Sequence, residues 1–171
     1  MILERGIMSK RFNNRTFRKI EQIYSVYLPD EFKTVYGKME ELPENWYDWS
    51  DFSPQNVKML SNHIQVIKEN IAEEIEYVDW SDNWGEAPSD LELMKREIRS
   101  RLINSPTLFP ISGHRYIASC NTAISPVFSI VGSDIIFNSK SLTDYFYGIA
   151  ISRETDLSDL PKIPFWSDIA Q

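Results

Sequence analysis

The stretch from Ser53 to Ile75 constrains the fold more than any other. Val57, Leu60, Ile64, Ile67, Ile71 and Ile75 recur at three- and four-residue spacing, so they share one face of a helix of roughly six turns. Ser53 and Pro54 supply its start, a serine at the N-cap and a proline at the first helical position. Other stripes repeat the pattern on a smaller scale. Phe17, Ile20, Tyr24 and Tyr27 predict a helix over residues 15–27. Pro29, Asp30 and Glu31 suit the first turn of the next one, with Phe32, Val35, Tyr36 and Met39 as its apolar face. Gly37 and the region of Pro43 close it. Ser89 and Glu92 read as a capping box before Leu91, Met94, Ile98 and Leu102, and Pro106 stops that helix.

After Pro106 the texture changes to β-branched and aromatic residues: TLFPISGHRYIAS, PVFSIV and DIIFN. Gly132-Ser133 between Val127–Val131 and Asp134–Asn138 suits a two-residue type II′ hairpin. Ser141 and Asp144 read as a second capping box, with Leu142, Tyr145, Phe146 and Ile149 facing inward. Helices first and strands later predict an α+β fold, helices packed on a largely antiparallel sheet. At 171 residues the chain suits one core. The expected layout is a basic N-terminal arm at 1–16, a domain at 17–151 and a tail at 152–171 that docks on it.

Charge is distributed unevenly. Residues 1–19 carry +5, and residues 40–92 carry fourteen acidic residues against Lys58 and Lys68, for −12 of a chain total of −7. Four of the five tryptophans lie in that acidic block. Such a block repels nucleic-acid phosphates and favours encounter with a basic protein; a solvated face that aids solubility is the plainer reading. The longest apolar runs fall well short of the roughly 20 residues that span a bilayer. The start, MILERGIMSKRF, has no signal-peptide apolar region, and either Met1 or Met8 could be the true start. A lone Cys120 suits a reducing compartment, so the expectation is a soluble cytoplasmic domain without membrane contact.

No catalytic motif stands out. Asp79, Ser81 and Asn83 match the 1-3-5 spacing of a calcium loop, but Trp84 replaces the glycine it needs and Asp90 stands at position 12. His63, His114 and Cys120 are too few for a transition-metal site. Neither a metal nor a cofactor is expected. Cys120 and His114 would form a nucleophile pair only if brought together, and an unreactive thiol is the plainer reading. His63 reads as a helix-border residue with one ring nitrogen in water. His114, Arg115 and Tyr116 form either a polar cluster facing a ligand or an internal anchor, with Arg115 paired to a loop aspartate. Asp48, Asp51, Asp79 and Asp82 are the only carboxylates with a case for acid–base work, although aspartate beside serine is also what turns require.

Trp-Ser-Asp occurs three times, at Trp49, Trp80 and Trp166. Spacings of 31 and 86 residues exclude a regular repeat. Each copy can close a turn with its serine and aspartate and pack its indole inward. The two copies in the acidic block make Trp46, Asp48, Trp49, Asp51, Asp79, Trp80, Asp82 and Trp84 the candidate partner-binding residues.

Several segments carry a family resemblance: LPDEF at Leu28 to Phe32, FPISGHRYIAS, PVFSIVGSDIIF and SLTDYF, with the loops NWYDWSDFSPQN and NWGEAPSDLE and the final IPFWSDIA. Together, over roughly residues 17–170, they resemble the SMI1/KNR4 family, also called the SUKH superfamily, in a bacterial branch. The family's Gly-Gly turn is replaced by YGKMEELPENW. The resemblance implies an α+β binding protein with no catalytic residues. Many bacterial members are cytoplasmic immunity proteins that block toxins, often nucleases, and fungal relatives are regulatory scaffolds. The expectation is therefore a non-enzymatic protein whose partner is a basic toxin domain. A regulatory module with an endogenous partner comes second, and an enzyme using the loop carboxylates third.

Overall fold

A computed structural model of the chain describes residues 11–171. Most of the expected basic arm, and both candidate start methionines, lie outside the described residues. The chain forms α1 (Asn14–Tyr24), α2 (Asp30–Lys38), α3 (Pro54–Glu73), α4 (Leu91–Asn104), β1 (Leu108–Ser112), β2 (Arg115–Ala118), β3 (Val127–Val131), β4 (Asp134–Ser139), α5 (Leu142–Phe146) and α6 (Trp166–Ile169). The four strands form one antiparallel sheet in the order β1-β2-β3-β4. This is the expected α+β architecture.

Both faces of the sheet are covered, and the pleat divides its side chains between two cores. Phe109, Ile111, Ile117 and Val127 join Phe17, Ile20, Phe32, Tyr36, Trp49 and Leu142. Leu108, Tyr116, Phe128, Ile130 and Ile135 join Ile67, Ile71, Ile98, Leu102 and Trp166 on the other side. Burial on both faces explains why β1 to β3 read as nearly continuous apolar runs rather than alternating ones. The long helix α3 serves both cores, giving Leu60 to the first and Ile67 and Ile71 to the second. Its start follows expectation, with Pro54 in the first turn and the Ser53 hydroxyl accepting from the Asn56 N–H.

The sheet edges are occupied. At β1, a register shift between Pro110 and Ser112 leaves Ile111 unpaired on β2, and the Ile111 carbonyl accepts the Tyr47 N–H at 2.9 Å. Trp46 forms a bridge with Ser112 beside it. At β4, Gln171 donates to the Ile135 carbonyl and accepts from the Phe137 N–H, and the Ile151 N–H donates to the Asn138 carbonyl. Unpaired strand edges invite other chains, so these loops also suppress sheet-to-sheet association.

Several local expectations need correction. The folded unit begins before residue 17, because Phe12 is buried against Phe17 and Tyr36, and the Asn13 side chain caps α1 through the Arg15 and Thr16 N–H groups. That helix ends at Tyr24, where Ser25 turns left-handed with φ 52, so Tyr27 leaves the stripe and is exposed beneath Lys33. Asp90, not Ser89, caps α4, which places Leu91 outside the core. The α5 helix is one residue past a single turn, too short to bring Phe146 and Ile149 inward; both are exposed. The Gly132-Ser133 hairpin forms with φ 59 at Gly132, and a Cβ there would meet the Glu74 carboxylate at 2.6 Å. That carboxylate accepts the Ser133 N–H and ties the hairpin tip to the end of α3.

Trp49 is fully buried, and its indole N–H donates to the Pro110 carbonyl at 3.0 Å. Trp49→Ala should cost about 3–5 kcal/mol in urea denaturation. The buried Tyr36 hydroxyl has no hydrogen-bond partner among the described residues, so Tyr36→Phe should be neutral or stabilising in the same assay. Burial, with the Asp51 charge adding to it, pushes the Tyr24 hydroxyl up to about 12. Burial and then Tyr47 push Tyr116 up to about 12. Their neutral forms favour the fold, so this contribution is intact below pH 10 and is lost as pH rises from 10 to 12. Phenolate absorbance should show these tyrosines titrating late, with unfolding setting in over that window.

Candidate functional site

The first acidic loop is pinned to the domain along its length. The Asp48 carboxylate accepts from the Ser50 N–H and hydroxyl and pairs with the Arg11 guanidinium, which also donates to the Ser50 hydroxyl. Asp51 accepts from the Ser53 N–H, and the Asn56 side-chain amide spans the Asp48 and Asp51 carbonyls at 2.8 Å each. These are Asx turns and a cap, built from the short polar side chains such turns need. Trp49 belongs to the first core, with Tyr24, Phe32 and Phe109 packed around its ring. It is therefore removed from the candidate partner-binding residues: a fully buried indole cannot meet a partner. Trp46 stays half-buried and stacks on Tyr145.

The loop that carries the second Trp-Ser-Asp copy is bonded to the third copy through Trp84. The half-buried Trp84 indole donates to the Asp168 carboxylate at 2.8 Å, and the same oxygen accepts the Phe165 N–H. That bond holds Phe165 at φ 68, a left-handed conformation costly for a non-glycine residue. Trp80 donates to the Gly85 carbonyl, closing its own loop, and the Ser81 hydroxyl accepts the Asn83 N–H. The Arg101 guanidinium lies 4.9 Å from the Trp84 ring and 5.7 Å from that of Trp80. Trp166 is buried and donates to the Pro106 carbonyl, as Trp49 does to Pro110. Asp79 and Asp82 remain exposed.

The catalytic candidates are not brought together. His114 occupies the turn between β1 and β2 and Cys120 lies beyond the far end of β2, about 15–20 Å away by strand rise. Burial pushes the Cys120 thiol up, away from the nucleophilic thiolate. Arg115 and Tyr116 point to opposite faces: the Arg115 guanidinium donates to the Ser129 hydroxyl, and Tyr116 is buried in the second core. Arg115 thus anchors internally to a serine rather than to a loop aspartate. His63 differs from expectation too, with Nδ1 at 2.9 Å from the Met59 carbonyl and Nε2 at 3.2 Å from the Tyr47 hydroxyl. Of the four loop aspartates, only Asp79 lines the cavity of about 400 Å³ beside Asp134 and Asp168. Among the described residues no group of three or more His, Cys, Asp and Glu is placed to hold a metal ion, and no helix is long and apolar enough to cross a membrane.

Sequence reasoning missed a surface. Tyr145, Phe146 and Tyr147 follow one another, and helical geometry turns successive residues by about 100°, so three adjacent rings cannot all face inward. Phe146 and Tyr147 are exposed, and Phe146 meets Trp46 edge-on at 6.0 Å. The run of three aromatics was the signal.

The fold and these surfaces define an α+β domain with two separately pinned acidic and aromatic loops. No family model, no curated protein and no solved structure matches the chain.

Asp168→Ala should destabilise the fold by about 1–3 kcal/mol in thermal unfolding and shift the tryptophan emission, because it leaves two buried-side donors without their acceptor. Asp82→Ala should change stability by no more than about 0.5 kcal/mol.

Proposed function

We propose that the chain is a non-enzymatic binding protein that captures and occludes a basic protein, a toxin domain such as those met by the immunity proteins of the family it resembles. One observation carries the reading. Of the fourteen acidic residues at 40–92, only Asp48 and Glu92 form ion pairs with basic side chains among the described residues. Glu40, Glu41, Glu44, Asp51, Asp79 and Asp82 are all exposed. An uncompensated acidic surface repels itself and lowers the stability of the isolated chain, and a basic partner relieves that repulsion. Complementary fields also speed encounter and reject acidic competitors. The separated positions of Cys120 and His114, and the internal hydrogen bonds of Asp48 and Asp51, fit a protein that binds rather than one that catalyses.

The test is affinity purification of the tagged chain from its native cell, followed by binding measurements on whatever basic domain co-purifies. Affinity for that domain should fall at least tenfold between low and moderate salt, chiefly through the association rate. Asp79→Lys with Asp82→Lys should slow association without lowering the melting temperature. An endogenous regulatory protein recovered in place of a toxin domain would assign a scaffold role instead. A salt-independent affinity would remove the acidic surface from the account.

A further inference from the structure

The aromatic side chains of the second loop are engaged within the fold, since Trp84 stacks on Phe165, bonds Asp168 and lies under Arg101. Those at the end of α5 are engaged on one side only. Tyr147 is 71% exposed and Ile149 56%, and Phe146 lies beside them with its ring 5.2 Å from that of Tyr147. Behind them Trp46 stacks on Tyr145 at 5.5 Å and continues to Tyr36 and Phe32 in the first core. The exposed rings are thus the outer end of a continuous aromatic pile.

The backbone that carries the exposed rings is fixed by hydrogen bonds. Tyr147 donates to the Thr143 carbonyl, Gly148 to Tyr145 and Ile149 to Asp144, which closes the end of α5. Gly148 then turns the chain with φ 74, and the Ser139 hydroxyl fixes the Ile149 carbonyl at 2.8 Å. Aromatic side chains have few rotatable bonds to immobilise on binding, and tryptophan and tyrosine are enriched among the residues that dominate interface energetics. The segment that leads into Trp46 adds charge: Glu40, Glu41 and Glu44 are exposed and have no ion pair among the described residues. The same segment leaves α2, which packs on α5.

We infer that the surface formed by Trp46, Tyr145, Phe146, Tyr147 and Ile149, flanked by Glu40, Glu41 and Glu44, is where the basic protein docks. It is the contact surface, and the second loop contributes to steering alone. This assignment rests on the binding reading above and specifies its location. The partner's matching face combines apolar side chains, which cover the rings, with lysine or arginine, which meets the glutamates.

A defined probe tests the surface directly: a short amphipathic helix of leucine and lysine, compared with oligolysine of equal charge. Titrated into the full chain and followed by backbone and indole NMR shifts, the amphipathic helix should move the Trp46 indole and the residues of α5. Tyr147→Ser with Ile149→Ser should weaken it about tenfold; both side chains are more than half exposed, so the fold is preserved. Oligolysine should bind at least tenfold more weakly than the amphipathic helix. Shifts centred on Trp80 and Trp84, unchanged affinity in the double variant, or no binding of the amphipathic helix would each overturn the assignment. So would a concentration-dependent dimer that the double variant abolishes, which would give the surface to a second copy of the chain. A co-purified basic domain that still binds the double variant at full strength overturns this location and leaves the binding reading standing. Failure to recover any basic partner bears on that reading instead.

Discussion

Trp49 ties the first two helices, the edge strand and the first acidic loop together in one buried contact. Its ring meets Tyr24 of α1, Phe32 of α2 and Phe109 of β1, and its N–H satisfies the Pro110 carbonyl. A proline in a strand has no N–H to give and belongs at an edge, where its carbonyl needs a partner from outside the sheet. Here the partner is a buried indole. The first acidic loop must therefore run along β1, and the neighbouring Tyr47 to Ile111 bond and the Trp46 to Ser112 bridge follow from that course. Trp166, the first residue of α6, likewise satisfies the Pro106 carbonyl just before β1, so two tryptophans distant in sequence serve carbonyls on this edge.

That arrangement separates charge from packing within single loops. Indoles and tyrosines of the acidic segments turn inward or along the sheet edge, and the carboxylates that are not used in turns stay in water. Asp48, used in a turn with Ser50, is also drawn into a pair with Arg11. The result is an acidic surface carried on loops with little freedom to rearrange. Such a surface presents the same field to every approaching molecule, which suits discrimination by charge and shape more than adaptive gripping.

Periodicity made the helices legible, because the apolar stripe of α3 has no strand alternative at that length, and Gly132-Ser133 made the β3–β4 hairpin legible. The Trp-Ser-Asp copies were legible as turn chemistry, since serine and aspartate act through backbone groups only a few residues away. Which indoles are buried was not legible. WYDW places two tryptophans three residues apart, and only distant groups, the Pro110 carbonyl and the rings of Tyr24, Phe32 and Phe109, distinguish the buried Trp49 from the half-buried Trp46. The exposed rings of α5 are hidden for a related reason: the apolar spacing continues to Ile149, but the helix ends at Phe146 and Gly148 redirects the chain. The link between Trp84 and Asp168 spans 84 residues, a pairing that neither copy announces locally.

The occupied sheet edges have a consequence for recognition. Many proteins take up peptides by adding a strand to an open edge, gaining affinity from main-chain hydrogen bonds that any sequence can supply. Here β1 is bordered by residues 46–49 and β4 by Ile151 and Gln171, so that route is closed along the paired stretches. What the domain offers a visitor there is side chains alone. On the binding reading proposed above, selectivity would rest on the identity of those side chains, and a surface substitution could alter it without disturbing the sheet beneath.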